Sequence, residues 1–147
     1  MKKLLIIICI GIVAALVVKY LTTKKEEAAI AATQSLLDAM KEKDVDRAMQ
    51  YLDYDEVVSE LDMWAKIGGG DFSVGDVKAQ MKKNLEEGEF DYEILDAEAR
   101  HSGEVKVTAK IKEDSGVKDV YFIMKKKDGK WKCNLMATGK EKAKMEK

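Results

Sequence analysis

Residues 90–99 read Phe90-Asp91-Tyr92-Glu93-Ile94-Leu95-Asp96-Ala97-Glu98-Ala99, and the periodicity of the chain changes here. Phe90, Tyr92 and Ile94 alternate with Asp91 and Glu93. The phase slips at Ile94-Leu95, after which Leu95, Ala97 and Ala99 form the apolar set. Alternation at period two marks a strand, and a one-residue slip inside it predicts a β-bulge and a bend. Val105, Val107, Ala109 and Ile111 then alternate with Glu104, Lys106, Thr108 and Lys110, which predicts a strand with one wet face. Val120 to Met124 is apolar on both faces and reads as a central strand. Asp128-Gly129 predicts a tight hairpin, and Trp131, Cys133, Leu135 and Ala137 read as the inner face of a last strand. His101-Ser102-Gly103 and Asp114-Ser115-Gly116 supply the other turns.

Before residue 90 the apolar spacing is helical. Ala29, Ala32, Leu36, Leu37 and Met40 predict a helix to about Lys43. Asp44 is a good N-cap for a short second helix carrying Val45, Ala48, Met49 and Leu52. Asp53 with Glu56 has the form of a capping box for a third helix, with Val57, Leu61, Trp64 and Ala65 facing inward until Gly68-Gly69-Gly70 stops it. Ser73 opens a fourth, with Val74, Val77, Met81 and Leu85 inward and Gly88 at its end. Helices followed by strands predict an α+β domain: about four helices packed on a bent four-stranded antiparallel sheet, a cone with room for a pocket.

The N-terminal residues predict location. Lys2-Lys3 precede an uncharged apolar run, Leu4 to Val18, extended by Tyr20 and Leu21. Fifteen residues rise only about 22 Å as a helix, short of a hydrocarbon core of about 30 Å, and Lys19 must snorkel to complete the span. An uncleaved anchor is favoured over a signal peptide cleaved after Val13-Ala14-Ala15, because the apolar run continues past that site. Lipidation at Cys9 is disfavoured because no small residue stands beside the thiol. The resulting division is an anchor or signal over 1–21, a polar tether over 22–27, the domain over 28–138 and a polar tail over 139–147 that should fray. The domain is expected outside a bacterial cell membrane, although Lys19, Lys24 and Lys25 after the run oppose that orientation under the positive-inside bias.

The chain has 147 residues and a formal charge of −1, so after the anchor one mildly acidic domain remains, with no electrostatic case for nucleic acid. Two cysteines, one of them in the apolar run, make no disulfide framework. One histidine and a lone exported thiol provide no transition-metal cluster, and Asp53-Tyr54-Asp55-Glu56 lacks the glycine and distal Glu of a calcium loop. The three glycines at 68–70 follow a helix and lack the Lys-Ser/Thr of a phosphate-binding loop. No metal and no cofactor are expected.

The stretch Gln34 to Met49, with its Lys43-Asp44-Val45-Asp46-Arg47-Ala48 turn between helices, and the hairpin Lys127-Asp128-Gly129-Lys130-Trp131-Lys132 together resemble the NTF2-like (cystatin-like) superfamily. In particular they are similar to small bacterial envelope proteins of the DUF4878, or lumazine-binding, type. The resemblance spans about residues 26–138 and implies the cone fold. Its members include enzymes, ligand binders and interaction modules, so it does not decide function.

Isomerases and dehydratases on that fold place a carboxylate base beside a Tyr or His donor inside the cone. The residue types present are Asp91, Tyr92, His101 and Tyr121. His101 lies in a turn, and Asp91 faces away from Phe90 and Tyr92, so no catalytic residue is assigned. The aromatics Tyr51, Tyr54, Trp64, Tyr92, Phe122 and Trp131 could line a ligand pocket, but at helical or strand spacing Phe122, Trp131 and Trp64 read first as core. Trp64, Tyr92 and Tyr121 are the pocket candidates, the two tyrosines because a buried hydroxyl needs a partner. Lys125-Lys126-Lys127, Lys130 and Lys132 read as a solvated hairpin tip rather than a contact for anionic lipid or wall polymer. The expected partners are a membrane through Leu4–Leu21 and a small apolar or aromatic ligand. A homodimer through the exposed sheet face and an isomerase- or dehydratase-like enzyme are the alternatives.

Overall fold

The computed structural model describes residues 2–146, with side chains from Val13 onward. Among these residues the chain runs α1 (Lys2–Lys41), α2 (Val45–Met49), β1 (Leu52–Asp53), α3 (Asp55–Ile67), α4 (Val74–Glu86), β2 (Phe90–Ala99), β3 (Val105–Glu113), β4 (Gly116–Lys127), β5 (Lys130–Asn134) and α5 (Leu135–Met145). The class is α+β. The five strands form one mixed sheet in the order β1-β5-β4-β3-β2, with β1 parallel to β5 and the other neighbours antiparallel.

The core lies between α1 and one face of the sheet. Ala29, Thr33, Leu36 and Leu37 recur on one stripe of α1 and are fully buried, as are Val105, Val107 and Ala109 on β3 and Met124 on β4. Leu36 packs in a cluster with Val105, Val107, Met124 and Cys133, and Leu37 in a second with Ala109 and Ile111. Each such leucine contributes about 2 kcal/mol by leaving water. The one hydroxyl in this stripe is satisfied locally, Thr33 Oγ1 donating to the Ala29 carbonyl at 2.8 Å.

The bend expected in β2 is present. Its register against β3 shifts between Ile94 and Asp96, so Leu95 is the extra residue. Tyr92 and Ile94 before the bulge stand opposite Ile111 and Ala109, and Ala97 and Ala99 after it stand opposite Val107 and Val105. The bulge thus keeps apolar side chains on the α1 face along the whole strand. Asp128 and Gly129 take positive φ values of 52° and 77°, the conformation of a two-residue hairpin turn that suits the sheet's twist.

Two sequence expectations about the sheet are corrected. The sheet has five strands and is not wholly antiparallel, because Leu52-Asp53 pairs in parallel with Cys133-Asn134. The last strand stops at Asn134, whose side chain accepts from the Ala137 N–H at 2.8 Å and caps α5. Leu135 and Ala137 are therefore helical. The stretch from Lys140, read as a polar tail, lies in α5 as far as Met145, with Glu141 buried. α5 covers Ile123 on the outer face of β4, which explains why that strand is apolar on both sides. Where β5 has ended, Thr138 Oγ1 accepts from the Ile123 N–H at 3.0 Å and replaces the missing strand neighbour.

The helices differ from expectation at their ends. Asp44 caps α2 as expected, and Ser73 forms a capping box with Asp76. The Asp53–Glu56 box does not form. Tyr54 is the N-cap of α3, and Asp53 is engaged by Lys127 and Asn134 instead. Residues 22–27, read as a tether, lie inside α1. The stretch Leu4–Leu21, expected from the sequence to be a membrane anchor, falls, as far as Ile12, outside the residues with described side chains. Among the described residues no helix is long and apolar enough to cross a membrane.

Candidate functional site

α3 is amphipathic in sequence, yet none of its residues is buried. Leu61 is 42% exposed and Trp64 60% exposed, with Val57 and Ala65 half-buried, so the inward stripe read from the sequence is only partly covered. Asp62 holds the end of the loop after α3: its Oδ1 accepts from the Phe72 N–H at 3.0 Å, and its Oδ2 meets Lys66 Nζ at 2.7 Å. α4 is tied back to α2 by the Lys78–Asp46 ion pair. Between α3 and α4 this leaves an open apolar groove of about 300 Å³. Val57 and Leu61 form one wall, Val77 and Met81 the other, and Phe72 closes the loop end.

Met40, Asn84 and Leu85 line this groove and also a second cleft of about 440 Å³. That cleft opens at the far ends of α1 and α4, over Phe90 and beside the β3–β4 turn. Its rim is acidic, with Glu87, Glu89, Glu113 and Asp114, and next to it Lys41 pairs with Asp91. The hydrogen bond from Lys41 holds the Asp91 carboxyl below the usual carboxylate range. Asp91 faces solvent, as its alternation with Phe90 and Tyr92 implies.

The pocket candidates are not brought together. Trp64 stands exposed on α3 and does not line the groove. Tyr92 is half-buried against Leu37, Ala109 and Ile111, and its hydroxyl donates to Asp38 Oδ1 at 2.5 Å. Burial and that hydrogen bond push its phenol up to about 12. Tyr121 lies on the opposite face of the sheet, opposite Thr108, with Lys106 Nζ 4.5 Å from its ring centroid. His101 is exposed in its turn. Tyrosine and carboxylate do meet at Tyr92–Asp38, but on the exposed seam between α1 and β2.

Val57, Leu61, Val77, Met81 and Leu85 were legible as apolar helix faces. Nothing in their spacing distinguishes a face that packs from one that lines a groove. Phe72, in the loop after the three glycines, belongs to neither periodicity, and no signal in the sequence marks it.

No family model matches the chain, and no curated protein matches it. Among solved structures it is similar to a chain named Rd1NTF2_05 carrying five substitutions, at 16% identity and a TM-score of 0.43, over 68% of this chain and 86% of that one.

Proposed function

We propose that this protein is a membrane-anchored NTF2-like binding module, of the DUF4878 type, whose α3–α4 groove takes a small apolar or aromatic ligand. The observation that carries the reading is the groove itself. A 13-residue helix with no buried residue leaves Val57, Leu61, Phe72, Val77 and Met81 around an open volume of about 300 Å³. Ligand sites are concave and mostly apolar with a few polar groups, and here Gln80 and Asn84 supply those groups. The anchor is Leu4–Leu21. Its described part supports the reading, since Val13, Leu16, Val17, Val18 and Leu21 are each at least half exposed on α1. On this reading the domain lies on the extracytoplasmic side, as the Met-Lys-Lys opening of an export-like apolar run suggests.

The enzymatic alternative ranks second. A carboxyl that donates a proton at neutral pH does so best when its pKa is raised toward the working pH. The displaced carboxyls, Asp53, Asp62, Asp91 and Glu141, are all displaced downward. A dimer through the outer sheet face ranks third. That face carries opposite charges in register within one molecule, Glu93 beside Lys110 and Lys110 beside Asp119, and leaves little apolar area for a second copy.

The test is native mass spectrometry of the full chain purified from its own host, beside a variant with Leu61→Gln and Val77→Gln. A retained small-molecule mass on the wild type that is lost from the variant is expected. No retained mass, or the same mass on both, sinks the ligand-binding reading.

A further inference from the structure

Where α1 meets the β4–β5 hairpin, a recess of about 450 Å³ is mostly apolar, with Thr22 and three lysines supplying its polar part. Val18, Leu21 and Ala28 of α1 and Trp131 of β5 form the apolar part. Lys24, Lys25 and Lys126 give it a basic edge, and no acidic side chain lines it. None of these three lysines has an ion-pair partner among the described residues. Their neighbours do: Lys125 pairs with Glu104 at 2.8 Å and Lys127 with Asp53 at 3.0 Å. The nearby Glu26 accepts from the Ala99 N–H instead. The recess begins where the apolar run ends, since Val18 belongs to both.

We propose that this recess binds the headgroup of an anionic phospholipid. The inference rests on the anchored reading above, and adds a site to it. If Leu4–Leu21 spans the hydrocarbon, the next turn of α1 lies at the headgroup level, where indole rings and lysine side chains are favoured. The Trp131 ring and Leu21 then meet the glycerol and upper acyl carbons, while Lys24, Lys25 and Lys126 surround the phosphate. Basic recesses next to a membrane segment select anionic headgroups on this principle.

The test uses the full chain with Trp64→Phe, which leaves Trp131 as the sole tryptophan, in vesicles of equal parts phosphatidylcholine and phosphatidylglycerol. One lipid at a time carries bromine on its upper acyl carbons, and quenching of Trp131 is read. Bromine on phosphatidylglycerol should quench more, with a lipid preference on the order of fivefold for each lysine engaged. Lys24→Gln, Lys25→Gln and Lys126→Gln together should bring the two lipids to parity. Flotation with pure phosphatidylcholine vesicles reports the anchor separately. Flotation with equal quenching by both lipids, or with none, overturns the headgroup site and leaves the anchor standing. Absence of flotation overturns the anchor, and the site with it.

Discussion

Arg100, just past the end of β2, and Glu141 on α5 are joined by two hydrogen bonds, Nη2 to Oε1 at 2.7 Å and Nη1 to Oε2 at 3.2 Å. Lys106 Nζ adds a third contact at 3.3 Å. The guanidinium first, and then the ammonium, outweigh burial and hold the Glu141 carboxyl down at about 2. A carboxyl depressed in the folded state stabilises it above the unfolded value, and that contribution fades as pH falls toward the folded one. The window here runs from about 4.5 down to about 2. Glu141→Gln should flatten the acid limb of stability in that window and lower stability at pH 7, because Arg100 loses its bidentate partner. Urea melts of both proteins at pH 3 and pH 7 check it. Equal acid sensitivity in the two would mean that α5 is held by other contacts.

Tyr92 and Asp38 lock β2 to α1. The phenol is raised in the folded state, so its stabilisation is complete below about 10 and is lost as pH rises through about 12. Tyr92→Phe removes one hydrogen bond, at a cost of about 1 kcal/mol. An alkaline absorbance titration should lose one phenol ionising near 12 in the variant. A titration unchanged by the substitution rules out the Asp38 contact in solution.

The parts of the fold that local chemistry controls were legible. Alternation in β3, the slip at Ile94-Leu95, the Asp128-Gly129 turn and the caps at Asp44 and Ser73 each depend on a few adjacent residues. The parallel pairing of Leu52 with Cys133 was not, because two residues have no periodicity and their partner is remote. α5 was missed because Trp131, Cys133, Leu135 and Ala137 alternate as a strand does. What ends the strand is the Asn134 cap, and an asparagine inside an alternating run reads equally well as a solvent-facing strand residue. The groove was hidden for a related reason: the apolar stripes of α3 and α4 predict burial, but not how closely the two helices approach.

α1 ends at a residue its sequence does not advertise. Lys43 sits at φ 59°, in the left-handed region where glycine usually terminates a helix, and its N–H donates to the Met40 carbonyl at 3.0 Å. Lys43→Gly relieves the Cβ clash at the cost of a more flexible unfolded chain. A net gain of about 0.5–1 kcal/mol is expected. Thermal melts will show it, and a lower melting temperature in the variant would place the turn elsewhere.

Trp131 tests how the last strand is packed. As an inner-face residue of a closed core, its loss to alanine would cost about 3–5 kcal/mol. The structure places it differently. Its neighbour Cys133 is fully buried, with its thiol pushed up to about 11, but the indole is half-buried at the edge of the core, where it lines the recess together with Ala28 and Leu21 of α1. Only the buried part of the ring is removed from water, and an open recess lets neighbours and solvent fill the gap. Trp131→Ala should therefore cost about 1–3 kcal/mol. Denaturant melts of the full chain decide between the two. A loss above about 4 kcal/mol would mean a closed core at this point, and with it no recess between Trp131 and the lysines of α1. A loss within the expected range, accompanied by a shift in the emission of the remaining Trp64 no larger than buffer controls, would fit a ring that packs on its edge and leaves its outer side open.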